Sequence, residues 1–382
     1  MSCSARLLSF FLLVTLWLHG GEVVAQPQFT TEEEQQFHEY VTAALAHGQY
    51  DDVSQLLSGR PDDDPSATAI RARLLAQRGR YSEAEALIGP IAAANPGSAS
   101  GLEFAVLLVE TGRSTEAQSY LQAVVDTGAS SQIGLELYRG GLASRQLDRY
   151  QDANAFFRNA VAAFPSDPAV HTAWAELFLE KYNRNDAVRS FQEALAVDEQ
   201  WAPAHLGLAR ALVNENPPAA RASAERALEI NSDYVGAHLF LAEEALGDRN
   251  ESAAEASVRR ALEINPSSLA SLALAASMAY LDDRIEDFEI EIARALQINP
   301  VFGDIYRIVG SHAARAYRFD EAVTLVQKGL QLDPNNPRGL AELGMHLLRT
   351  GDELGAREAL DLAFADDPFD LITFNLLNMM DT

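Results

Sequence analysis

AVAAFPS (160–166), ALAVDEQ (194–200), ALEINSD (227–233), ALEINPS (261–267), ALQINPV (295–301), GLQLDPN (329–335) and AFADDPF (363–369) are one phrase written seven times. The small residue that opens it falls at Ala160, Ala194, Ala227, Ala261, Ala295, Gly329 and Ala363, at intervals of 34, 33, 34, 34, 34 and 34. A second small column runs seven positions earlier, at Ala153, Ala187, Ala220, Ala254, Ala322 and Ala356, with Phe288 as the exception. Pro165, Pro266, Pro300, Pro334 and Pro368 close units with a residue that has no N–H and a fixed φ, which stops a helix. Turn sequences inside the units, such as Gly79-Arg80-Tyr81, Gly112-Arg113, Asp148-Arg149-Tyr150, Arg318-Phe319 and Gly351-Asp352, divide each into two halves.

Between these marks apolar residues recur at three and four, as in Leu340, Leu343 and Leu347, then Ala356, Leu360 and Ala363. That spacing predicts two amphipathic helices of about 13 residues per unit, each too short to be stable alone in water. They must therefore stack, and the small columns allow the paired helices to approach closely. A heptad coiled coil is excluded, because prolines and turns interrupt the chain every 34 residues.

Spacing, turn, alanine columns and closing proline together resemble the tetratricopeptide repeat family. Residues 169–200, AVHTAWAELFLEKYNRNDAVRSFQEALAVDEQ, and 337–368, PRGLAELGMHLLRTGDELGAREALDLAFADDP, show it most fully. The resemblance covers nine units over 66–368, with a degenerate one in the segment 26–65 where GQYDDVSQLL keeps the turn. It departs at a one-residue deletion near Asn216-Pro217-Pro218, at Phe288, and at the non-proline ends Glu199 and Ser232. The fold it implies is all-α, a right-handed superhelical solenoid of antiparallel helix pairs with about ten units. Residues 369–382 begin a further helix whose apolar residues Phe374, Leu376, Leu377, Met379 and Met380 call for a cover.

Residues 1–25 read differently from the rest. Arg6, the apolar run from Leu7 to Leu18 and the small residues before Gln26 form a cleavable secretory signal. The run is too short for a membrane span, which needs about 20 residues. Its Cys3 is the only cysteine, so a chain cleaved before Gln26 has no disulfide, thiolate metal site or cysteine nucleophile. The expected location is outside the cytoplasm, periplasmic or secreted. Net charge is −26, from 55 acidic against 29 basic residues, only two of them lysines, Lys181 and Lys328. Such a chain is repelled by phosphate backbones, which argues against nucleic acid as a partner.

Chemistry is sparse. His171, His205 and His238 stand one repeat apart, as do His312 and His346. Neighbouring repeats hold such residues roughly 10 Å apart, too far to share one ion, so these histidines read as packing residues. There is no His-Glu-x-x-His, no phosphate-binding Gly-x-x-x-x-Gly-Lys loop and no Gly-x-Ser-x-Gly elbow. The expectation is a non-enzymatic protein without cofactor or metal.

The resemblance implies instead a concave groove lined by the first helices, which binds a protein or peptide. Carried over, it places Tyr138, Glu176, Arg210, Glu243 and Tyr280 in the groove of the middle units. It places Arg307, Arg315, Arg338 and Arg349 in the last two, a concentration of guanidinium suited to an acidic peptide. The reading is a protein-binding scaffold of the bacterial cell envelope. The alternative is the repeat arm of a larger exported metallopeptidase, since ADDPFDLITFNLLNMMD (365–381) resembles the junction to a gluzincin-type domain.

Overall fold

The computed structural model describes residues 29–381, so the signal reading of residues 1–25 lies outside the described residues. Twenty-one helices follow one another, and no strand occurs among the described residues. They are α1 (Thr31–Ala46) with α2 (Tyr50–Ser58), α3 (Pro65–Gln77) with α4 (Tyr81–Ala94), α5 (Ala99–Glu110) with α6 (Ser114–Ala129), and α7 (Gly134–Gln146) with α8 (Tyr150–Ala163). Then come α9 (Pro168–Glu180) with α10 (Arg184–Val197), α11 (Ala202–Leu212) with α12 (Pro217–Ile230), and α13 (Val235–Gly247) with α14 (Glu251–Ile264). The last are α15 (Leu269–Leu281) with α16 (Ile285–Ile298), α17 (Asp304–Arg315) with α18 (Phe319–Leu332), α19 (Pro337–Thr350) with α20 (Glu353–Asp366), and the single α21 (Leu371–Met380). Each pair is one unit, numbered 1 to 10, and each packs against the next, as the all-helical solenoid reading requires.

Both small columns are where helices touch. Ala153, Ala187, Ala220, Ala254, Ala322 and Ala356 are fully buried, as are Ala160, Ala194, Ala227, Ala261 and Ala295. Phe288 breaks the column yet stays buried, against Tyr280 and Tyr306. Larger side chains such as Phe157 and Phe191 fill the space between helices with no exposure at all. Helix starts are fixed locally: Asp64, Asp167 and Asn336 each cap the helix behind them with a side-chain oxygen, with proline at its first turn.

Within units the turn needs one left-handed residue. Glycine supplies it at Gly48, Gly79, Gly112 and Gly351, but Asp148, Tyr182, Arg249, Asp283 and Tyr317 adopt φ between 56° and 64° in the same place. An L-residue is strained there by about 1 kcal/mol or more. Unit 6 has no such residue, since the deletion near Asn216 shortens its turn.

The superhelix is tight enough to return onto itself. Asn231, Asn265 and Asn299, each just past a second helix of units 6 to 8, donate through Nδ2 to the carbonyls of Leu45, Ala76 and Glu110 at the ends of α1, α3 and α5. These bonds span 186 to 189 residues. Farther along, Lys181 reaches Asp367 (2.9 Å) and the Tyr182 hydroxyl donates to Asp370 (3.3 Å). At the N-terminal end His38 meets Asp167 (3.1 Å) and His47 meets Asp198 (2.7 Å). α21 closes the array, with Thr373 buried and Phe369, Leu371, Ile372, Phe374 and Met379 exposed.

Enlarging a column residue tests the packing. Ala227→Leu adds three carbons to a fully buried contact and should lower unfolding free energy by about 1 to 3 kcal/mol, read as a shifted urea midpoint. Leu at the exposed Glu229 should move it by less than about 0.5 kcal/mol.

Candidate functional site

Curvature decides which helices face inward. Neighbouring first helices pack on one another, α3 on α5, α9 on α11 and α15 on α17, while no pair of neighbouring second helices packs to that extent. The first helices therefore line the concave side.

Nearby protein shifts several titrating groups on this side. Glu110, at the end of α5, is solvent-touched yet surrounded by protein; burial, helped by the Glu103 carboxylate, pushes its carboxyl up to about 7. Burial likewise raises the Glu243 carboxyl, against the opposing pull of Arg315 and then Arg210. Burial raises the Tyr234 hydroxyl to about 12, with Arg210 again opposing it. Arg210 on α11, Glu243 on α13 and Arg315 on α17 thus share one electrostatic neighbourhood while standing on three units. None of the three makes a hydrogen bond or ion pair with a described residue, and all three are exposed to the channel solvent.

The other groove residues read from the sequence are committed elsewhere. Glu176 accepts from Arg145 at 2.7 Å, and the same guanidinium grips Glu180 with two bonds. Tyr138 packs against His38 of α1, with ring centroids 5.7 Å apart. Tyr280 donates to Glu321 beneath the Arg318 guanidinium. Arg307 donates to Asp304 (2.7 Å) and to Glu342 (2.6 Å), and Ser311 also donates to Glu342. Arg349 lies over the Phe319 ring at 5.4 Å. Arg338 is exposed with no hydrogen bond or ion pair to a described residue. Of the arginines in the last two units, local acids pair with Arg307 alone, and Arg315, Arg338 and Arg349 have no acid partner among the described residues.

Arg145, the Arg73–Glu103 pair on α3 and α5, and the asparagines at the superhelical return escaped the sequence reading. Arg145 and Glu180 stand one unit apart, a spacing that could have flagged them. The asparagines recur within the repeated phrase itself, but their partners are five units away.

The histidine ladder is structural. His171, His205 and His238 each bond through Nε2 to a carbonyl six residues earlier, those of Pro165, Glu199 and Ser232, at 2.8 to 3.0 Å. No group of three or more His, Cys, Asp or Glu among the described residues is placed to hold a metal ion. No helix there is long and apolar enough to cross a membrane.

His312 and His346 are buried on α17 and α19. Burial, reinforced by Arg315, depresses His312 to about 4. The unfolded chain then binds the proton more readily than the folded one, so this contribution is complete above about pH 6.5 and is lost as pH falls toward 4. The loss amounts to at most about 3 kcal/mol. His312→Leu should flatten the pH dependence of the urea midpoint between pH 6.5 and 4.

Comparison with known proteins agrees with this architecture. Residues 102–168 and 309–370 match the tetratricopeptide repeat family. The APC/C hetero-tetramer Cut9–Hcn1 contains a chain of similar fold, with a TM-score of 0.53 and 16% identity, over 91% of this chain and 69% of that one. A tetratricopeptide repeat protein from Parabacteroides merdae ATCC 43184 gives a TM-score of 0.44 at 16% identity, over 64% of this chain and 97% of that one. No curated protein matches. Paired helices run through the described chain, and residues 102–168 and 309–370 carry the tetratricopeptide repeat.

Proposed function

We propose that this protein is an exported, non-catalytic scaffold of the cell envelope that holds an acidic, extended peptide in its concave channel. The observation that carries the reading is the open set Arg210, Glu243 and Arg315. In a chain of charge −26 acids far outnumber bases, yet Arg210 and Arg315 on the concave side make no side-chain hydrogen bond or ion pair with a described residue. An arginine in such a place binds a carboxylate more strongly than one at an open surface, because the surrounding protein screens less than water does. Two guanidiniums flanking a carboxylate suit a ligand that presents two acids around a donor. The Tyr234 hydroxyl, also close to Arg210, supplies a further polar contact.

Secretion rests on the reading of residues 1–25. The mature chain then starts at Gln26, and N-terminal sequencing of the exported protein tests that start. A start at Met1 in the exported fraction would remove the cleavage from the proposal.

Selection of residues 26–382 on a random peptide library should enrich acidic sequences. Arg210→Ala with Arg315→Ala should weaken the best of them about 10- to 100-fold by fluorescence anisotropy, as expected for one or two charged hydrogen bonds. Arg307→Ala, which breaks only an internal network, should change binding less than about threefold. Equal loss in both variants would sink the assignment of this site.

A further inference from the structure

We propose that the contact between successive superhelical turns is a latch, and that its opening controls sideways access to the concave channel. A first helix ends with carbonyls that its own helix cannot satisfy. At α3 the Ala76 carbonyl accepts from Gly79 N–H (2.9 Å) and also from Asn265 Nδ2 of the next superhelical turn (3.3 Å), and at α5 the Glu110 carbonyl accepts from Asn299 Nδ2 (3.2 Å). The same asparagines accept from their own chain two residues on, so each side chain both shapes its turn and ties it to a distant one.

The glycines opposite are matched to this contact. Gly79 and Gly112 have φ of +75° and +81°, and a Cβ on either would stand within 3.0 Å of the facing asparagine oxygen. They serve the turn conformation and the close approach together.

The seam is strong enough to form and weak enough to open. Between units 2–3 and 7–8 it consists of hydrogen bonds and the partly exposed Arg78–Asp233 pair at 3.2 Å. No buried apolar cluster among the described residues joins those units across it. At the N-terminal end the character changes: Ala46 of α1 is part of the buried cluster around Trp201 and Ala175. An apolar anchor at one end and polar ties along the rest describe a strap fixed at α1 that can lift elsewhere. Local opening of this kind draws on the least stable contacts of a fold. Arg210, Glu243 and Arg315 stand on the first helices α11, α13 and α17, which line the concave side. The latch needs no particular ligand, so its failure would leave the proposed groove standing.

The test keeps the local turn and removes the side-chain ties. Asn265→Asp with Asn299→Asp retains the oxygen that accepts from the residue two positions on, as Asp198 and Asp367 do in this protein. Ser267→Ala and Tyr81→Phe in the same chain delete the remaining side-chain hydrogen-bond donors between these turns, Ser267 Oγ to Gly79 O (3.2 Å) and the Tyr81 hydroxyl to Ser267 O (3.3 Å). In full-length chain carrying Cys3→Ser, a reporter cysteine at Glu243 is labelled with iodoacetamide or with a bulky polyethylene-glycol maleimide. The bulky reagent should react slowly with the intact seam. Its rate should rise about tenfold per tie removed while the iodoacetamide rate stays constant. An unchanged bulky-reagent rate with unchanged far-UV circular dichroism overturns the latch. A second arm does not depend on how the aspartate variant folds. Cysteines at Arg78 and Asp233, in the same Cys3→Ser chain with Glu243 intact, are joined by a short bis-maleimide. Amide exchange at residues 76–80 and 265–267 should slow relative to the chain modified with N-ethylmaleimide. Equal exchange in the two forms means the seam does not open, and overturns the proposal.

Discussion

Helices of about 13 residues cannot hold their own hydrogen bonds in water, and every feature of this molecule depends on that shortfall being met by neighbours. The alanine columns meet it. With Ala153 against its partner helix, and Ala187, Ala220 and Ala254 repeating the contact, backbones come close enough for Phe157 and Phe191 to fill what remains. Stability in such an array is a sum of unit and interface terms, so it grows with length without needing a central core. A surface that is strongly negative throughout keeps the long outer faces apart in solution.

Close packing of first helices on the inner side curves the array, and curvature brings distant units together. Two consequences follow that the units do not possess singly. First-helix ends gain partners a superhelical turn away, through Asn231, Asn265 and Asn299. On the concave face nearby protein raises carboxyls such as Glu110 and Glu243. The proposed binding of acidic peptide places the ligand on that face, beside Arg210 and Arg315.

Much of the candidate site was only partly legible beforehand. The resemblance to tetratricopeptide repeats placed Arg210, Glu243 and Arg315 in the groove, and all three stand on first helices. Position could not say that Arg307 is held by Asp304 and Glu342, since Asp304 shares its helix while Glu342 comes from the next unit. Nor could it show that Tyr138 lies under His38, roughly a hundred residues earlier in the chain. The left-handed backbone at Asp148, Tyr182 and Tyr317 was similarly hidden, as those residues carry no glycine mark, although the turns at Asp148 and beside Tyr317 were legible.

The sequence by itself determined the helices, their pairing and the spacing of the units. These follow from apolar periodicity, turn residues and small columns that all act within one 34-residue repeat. Only the tertiary structure decided which charges stay open and which turns meet. Superhelical pitch is the sum of small rotations between successive units, and no single repeat encodes that sum. Five units must accumulate before Leu45 and Asn231 come within 3.1 Å through their carbonyl and amide groups.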